Sequence, residues 1–468
     1  MEVKKKKLTV PHVYILLLMI ILICGLLSYV IPAGTYQLQT VTTNGVEREI
    51  VNPDTFKYME KTPVTLMQFL TAVPRGMQEV AQIIFFIFIV GGAFGVVQST
   101  GAIEAGLGTL AKKAKGKELL IVPIVMLAFG FGGAIIGMAE ETLPFIPIFV
   151  SLFIAMGYDS ITGVAVVFCG AGAGFAGAFM NPFTIGVAQG IAGLPLFSGM
   201  ALRIVLFCTM MLISILFVMR YAHKIKKNPD LSSMKDIDMN REDNMNLDNL
   251  PDFGKREKAI LLVFLLAIIF LVFGVVKWGW YMDEIAALFF AMSMVCAAIG
   301  KLGVNTYAEE LGKGMADVAS GALVVGFARG ILVVLTDGNI LHTILHSAAM
   351  GLSQVSSTIS AIGEYVFQCL LNFLVPSGSG QAAVSVPILA PLGDLVGVTR
   401  QTTCLAFQIG DGISNIFTPT SGYFMAGLAL AKVPWSKWAK WILPLIGLQY
   451  LIGAIFVIAA HTMKFGPF

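Results

Sequence analysis

Few charges interrupt the apolar runs of this chain, and those few are where chemistry is to be sought. In GMAEETLPF, residues 137–145, Glu140 and Glu141 stand side by side in a glycine-rich apolar stretch, with Thr142 next. Asp411 sits in GDGISN, which ends on Asn415. A carboxylate at the bilayer centre costs about 2.5 kcal/mol or more on insertion scales, so it persists where it is paired or binds something. The chemistry on offer is recognition of a cation, not bond making. Adjacent side chains on a helix point in different directions, so one glutamate of the pair faces a given ligand, and Glu141 is the favoured one.

Two proline motifs lie downstream of these carboxylates in sequence. FMNPFTIG (179–186) holds Asn181, Pro182 and Thr184; NIFTPTSG (415–422) holds Asn415, Thr418, Pro419, Thr420 and Ser421. Proline removes a helical hydrogen bond and clashes with the preceding turn. The freed backbone groups are tolerated at membrane depth where they line a cavity or a ligand. Half-helix N-termini suit anions and unwound carbonyls suit cations. A further polar stretch, PSGSGQ, supplies Ser377, Gly378, Ser379 and Gln381. Sodium at these tips and breaks, or a proton, is the coupling ion to consider; no other cofactor is expected.

The remaining candidates read as structural. Arg329 in FARG is expected in a scaffold ion pair. His342 and His346 lie four apart with no third ligand near, which favours a neutral structural role over metal. Cys24, Cys169, Cys208, Cys296, Cys369 and Cys404 all lie in apolar runs without metal-ligand spacing. No nucleotide loop, nucleophile constellation or heme motif is present. That points away from an enzyme or pump, toward a secondary carrier.

The elements that would position these residues are membrane helices. The chain has 468 residues, 57% hydrophobic and 13% charged, with net charge +3, and a mean hydropathy of +0.82. A soluble domain is nearer a quarter charged. Residues 1–32 hold a retained first transmembrane helix rather than a signal peptide, since the run is long and IPAGTY is a poor cleavage site. Residues 33–80 read as an extracytoplasmic loop or small hairpin followed by an interfacial, proline-broken helix. Lys/Arg clusters at 4–7, 111–117, 223–227 with 254–258, and 432–440 are expected on the cytoplasmic side. KWGWY (277–281) reads as an outer belt between helices near 259–276 and 282–300. The polar stretch 223–258 reads as a cytoplasmic linker, residues 259–300 as helices linking the halves, and 461–468 as a C-terminal tail. The N-terminus is expected inside a prokaryotic cytoplasmic membrane and the C-terminus outside.

The halves resemble each other. GMQEVA (76–81) matches GMADVA (314–319), STGAIEAGL (99–107) has a counterpart in TDGNILHTI (336–344), and GAGAGFAGAFMNPFT (170–184) matches QIGDGISNIFTPTS (408–421). Topology makes the repeat inverted, a transporter design with the site at the interface. The first repeat spans 81–222, with a hairpin at 119–157 and a broken helix at 160–193. The second spans 301–460, with a hairpin at 355–393 and a broken helix at 400–431. Segments of roughly 11–14 residues after each tip are short for a crossing. Both hairpins read as re-entrant, although two full crossings satisfy the same parity. The expected fold is an all-α polytopic membrane protein.

The tips AEET and PSGSG, with MNPFT and GDGISNIFTPTSG, make the chain resemble the ion transporter superfamily. The nearest likeness is to the YfcC-like group, which includes arginine/ornithine (ArcD-like) exchangers and is related to four-carbon dicarboxylate carriers. The resemblance implies a homodimer with a scaffold domain and a transport domain that moves like an elevator. It also implies that both tips and both breaks enclose the substrate. Dicarboxylate members typically carry Ser-Asn-Thr at both tips; this chain carries acidic residues at one and Ser-Gly-Ser at the other. A dianion would meet like charge in a low-dielectric site. The expected function is exchange of a basic amino acid such as arginine with ornithine. The alternative is a sodium- or proton-coupled dicarboxylate carrier.

Overall fold

The computed structural model describes residues 13–43, 46–103, 105–106, 109, 116–241, 253–278, 280 and 282–466. The lysines at 4–7 and most of the basic cluster at 111–117 lie outside them.

Among the described residues seven helices are long and apolar enough to cross a membrane. The first body gathers six helices. They are α1 (Val13–Val30), α2 (Leu66–Glu79), α3 (Ala81–Ser99), α9 (Lys255–Phe273), α10 (Met282–Gly300) and α11 (Val304–Asp337). The 34-residue α11 is its spine, with α1, α2 and α3 packed along it and α10 on α3. A second body holds α4 (Ile121–Phe131), α5 (Ile146–Ala155), α6 (Ser160–Ala176), α7 (Ile185–Ile191), α8 (Met200–Lys227), α13 (Ser357–Leu374), α14 (Gly378–Val396), α15 (Arg400–Ser414), α16 (Gly422–Leu430) and α17 (Trp435–Thr462). Its centre is the crossing of α6 and α15, and α11 meets it along α16. Both central helices are buried over nearly every residue. That is why α6 reads as an almost continuous apolar run, whereas α15 is buried together with its polar Gln401, Gln408 and Asp411.

Three features depart from the sequence reading. The fold is helical but not strictly all-α. Before α2 lies a cap of two small antiparallel sheets, β2 (Leu38–Thr43) with β3 (Val46–Val51) and β1 (Gly34–Thr35) with β4 (Lys57–Tyr58). The expected interfacial helix is α2, started by a Thr65–Gln68 capping box. Pro74 sits inside it without ending it, and a single residue, Val80, separates it from α3. Its narrow seam against α11, centred on buried Ala72 and Gly76, accounts for the amphipathic pattern. Finally, α14 runs 19 residues through Pro387 and Pro391, longer than the short arm expected there. These prolines are four apart, on one face.

The cap is pinned to α12 (Leu341–Leu352) by the two histidines. The Tyr36 backbone N–H donates to His342 Nδ1 at 3.2 Å, and Tyr36 Oη lies 3.0 Å from His346 Nδ1. The Phe56 ring stacks on His346 with centroids 3.8 Å apart. Burial pushes the Tyr36 phenol up to about 12 and both imidazoles below their ordinary value. No group of three His, Cys, Asp or Glu poised for a metal occurs among the described residues.

Candidate substrate site

Each polar tip is a break between two helices. After α4 the chain makes a turn of π-helix at Gly132–Ile136, then turns at Gly137 with φ +69°. A 3-10 segment, Glu140–Phe145, leads into α5. A Cβ at Gly137 would lie 2.7 Å from Asn181 Oδ1 and 2.8 Å from the Phe183 ring. The first tip therefore rests directly on the first helix break. Asn181 shapes that break, since its Oδ1 accepts the N–H groups of Phe183 at 2.9 Å and Thr184 at 3.2 Å. Its Nδ2 donates to Gly133 O at 3.1 Å, tying break to tip. Thr142 serves the tip from within, donating to Ala139 O at 2.6 Å.

The second tip is Val375–Ser377, with Ser377 as N-cap of α14. A Cβ at Gly378 would meet Thr184 Cγ2 at 2.6 Å and Asp411 Oδ2 at 3.2 Å. This tip thus lies between the first break and α15. Behind it runs a buried amide chain. Asn372 Nδ2 donates to Asp411 Oδ1 at 2.9 Å and to Gln381 Oε1 at 3.0 Å. Gln381 in turn donates to Gln368 Oε1 at 2.7 Å, and Asn415 Nδ2 reaches Asp411 Oδ1 at 2.9 Å.

A cavity of about 280 Å³ opens between these parts. Eight expected site residues line it: Glu140, Glu141, Thr184, Ser377, Gly378, Ser379, Asn415 and Thr420. Thr142, Asn181, Pro182, Gln381, Asp411, Thr418, Pro419 and Ser421 are absent from its lining; they form the tips, the breaks and the layer behind. Several buried oxygens in that layer lack a protein partner, among them Asp411 Oδ2, Asn372 Oδ1, Thr418 Oγ1 and Ser421 Oγ. So do Thr184 Oγ1, Asn415 Oδ1 and Thr420 Oγ1, which belong to residues of the cavity wall. Buried polar atoms are normally satisfied, so this cluster is suited to a polar or charged occupant.

The two glutamates differ. Glu141 Oε2 accepts the Ala139 N–H at 2.9 Å, which commits it to the tip. Among the described residues no other residue donates to the Glu140 carboxylate. Arg329 brings a cation to the wall, and its Nε donates to Glu79 Oε2 at 2.7 Å. The expected scaffold pair is present, but it also faces the cavity, a double role that spacing could not reveal. Tyr423 was missed; its place directly after the PTSG break was the available signal. The N-termini of α14 and α16, at Gly378 and Gly422, reach the same cavity.

Comparison with known proteins gives the family. The family described as C4-dicarboxylate anaerobic carrier matches residues 10–462. YfcC of Escherichia coli (strain K12), provisionally named a basic amino acid antiporter, is 36% identical, with 98% of each chain covered. An uncharacterised protein of Haemophilus influenzae is 30% identical over 98% of each chain. Two solved transporters are more distant. The YdaH transporter of Alcanivorax borkumensis is 17% identical with a TM-score of 0.41, over 98% of this chain and 100% of that one. Neisseria gonorrhoeae MtrF, described within a class of antimetabolite efflux pumps, is 18% identical with a TM-score of 0.43, over 97% and 95%. Both scores are too low to decide fold or function by likeness. The near-complete family match and the full-length relatives decide the membership: this chain is a multi-pass membrane protein of the C4-dicarboxylate anaerobic carrier family, a secondary transporter of the YfcC kind.

Proposed function

We propose that the protein exchanges basic amino acids, arginine and ornithine being the type, across a prokaryotic cytoplasmic membrane. The observation that carries this reading is the Glu140 carboxylate, which faces the cavity without a donor from another residue. A cationic side chain placed there forms a charge-assisted hydrogen bond. The α-carboxylate then lies toward the N-termini of α14 and α16, where backbone N–H groups and the helix dipole favour an anion. The provisional name of the YfcC relative points the same way.

In this reading the two halves are inverted repeats and the tips belong to re-entrant hairpins, α4–α5 and α13–α14. The body built on α6 and α15 carries the site past the α11 scaffold as an elevator. The protein works as a homodimer. Asp411, with the oxygens of the second break, takes a sodium ion or a proton where transport is coupled. The family description favours the second reading, a coupled four-carbon dicarboxylate carrier, and Arg329 in the wall is the residue that would serve it.

Counterflow in proteoliposomes separates the two. Labelled arginine should exchange with internal ornithine and be unaffected by succinate. Sodium-dependent succinate uptake with no arginine exchange would replace the first reading by the second.

A further inference from the structure

A second, smaller cavity of about 70 Å³ lies between the same two bodies. Its scaffold wall repeats that of the substrate cavity. The pair α2–α3 covers 66–99 and α11 covers 304–337, 34 residues each, in register at an offset of 238. By that offset Val80 and Leu332, which line the substrate cavity, correspond to Val318 and Phe94, which line the second. The helix seats correspond as well. A Cβ on Gly76 would lie 2.7 Å from Gly330 N, and one on its counterpart Gly314 would lie 2.9 Å from Cα of Gly92, the counterpart of Gly330. The charges do not follow the pattern. Glu79 corresponds to Asp317, but Arg329 corresponds to Gly91. Lacking that scaffold partner, Asp317 pairs across the gap with Lys432 of the other body, at 3.8 Å.

The two walls are displaced along α11. Asp317 and Arg329 are twelve residues apart, about 18 Å of helix. On the other body, Tyr423 in the first cavity and Leu430 in the second are seven residues apart, about 10 Å. A slide of that order brings the tips opposite the second wall.

We infer that the second cavity marks the scaffold wall the substrate site meets in the opposite transport state, and that Asp317 determines specificity there. This rests on the sliding-body reading above. The cargo faces a Glu79-neutralised Arg329 at one end of its path and Asp317 at the other. Asp317 is released to face it because the slide carries Lys432 away. A cationic solute therefore binds more tightly at the Lys432 end.

Cysteine pairs test the placement without any substrate. In a Cys208→Ser background, which removes the exposed native thiol, Leu332→Cys with Ser379→Cys should link through a short bifunctional reagent in the present state. Gln98→Cys with Ser379→Cys should link in the other. Adding Lys432→Gln removes the cross-body pair and should raise Gln98 linking about two- to five-fold while lowering Leu332 linking. Gln98 linking that stays at background in every condition, while the Leu332 pair links fully, overturns the proposal. In vesicles, Asp317→Asn should raise KM for the cation several-fold from the Lys432 side and leave the opposite side unchanged. Equal shifts on both sides would overturn the specificity role. Linking without arginine exchange would instead leave the second wall standing and remove the substrate assignment.

Discussion

Arg329 and Glu79 meet at 2.7 Å on the scaffold wall, and the same guanidinium borders the cavity that holds Glu140 and Glu141. A cavity between the two bodies thus has two carboxylates on the side of the second body and a neutralised cation on the side of α11. An unpaired Arg329 would repel a basic solute, whereas paired with Glu79 it contributes little net charge.

Glu140→Gln should therefore do more damage than Glu141→Gln. A hydrogen bond to a charged group is worth about 1.5–3 kcal/mol, so the KM for arginine should rise roughly 10- to 150-fold. Glu141→Gln should act on the tip, lowering thermal stability more than affinity. Counterflow and thermal unfolding in detergent measure the two. Equal transport losses with no stability difference would remove the distinction between the glutamates.

The scaffold pair separates the substrate classes. Arg329→Gln should keep arginine exchange within about three-fold and shift it toward tighter binding, since it frees the Glu79 carboxylate near the wall. Glu79→Gln exposes the guanidinium and should weaken arginine binding. A dicarboxylate carrier would show the reverse, with Arg329→Gln abolishing uptake. Measuring both variants with arginine and succinate decides it.

Asp411 is fully buried, and its Oδ1 is held by Asn372 and Asn415, both at 2.9 Å. Asn372→Leu removes one donor from a buried carboxylate and should cost about 1–3 kcal/mol of stability, read from thermal unfolding. Asp411→Asn should remove any dependence of transport on sodium or on a pH gradient. If that dependence survives in Asp411→Asn, the coupling ion is held elsewhere.

The cap should respond to acid. His342 is lowered from its ordinary value of 6.5 by burial, so the folded cap holds the neutral ring. Its Nδ1 can accept the Tyr36 N–H only in that form. A base with a depressed folded pKa contributes stability that is complete above its unfolded pKa and is lost as pH falls below it. Proteolysis of the cap should accelerate as pH drops from 7 to about 5. His342→Asn, which offers an acceptor that does not titrate, should flatten that profile. An unchanged profile would assign the response to another group.

Much of this protein is determined by the sequence alone. Apolar length sets the spanning helices, because a bilayer leaves no other partner for backbone amides. Proline with flanking Asn and Thr marks both breaks, and a glutamate pair in an apolar run marks a tip. Family membership was legible in those same motifs.

The rest depended on packing. No spacing rule joins residues 137, 181, 378 and 411; they meet because glycines at 137 and 378 let the tips approach the break and α15 within contact distance. The difference between the glutamates, both of which line the cavity, comes from one backbone N–H, that of Ala139, which Glu141 accepts. A small hairpin in the 33–65 segment was one of the two readings the sequence offered, and β2 with β3 forms it; the β1–β4 pairing and the histidine anchor on α12 emerge only where partners farther apart in sequence meet. The seam of α2 on α11 likewise looked like a membrane-surface stripe, because periodicity records that a face is covered and not what covers it.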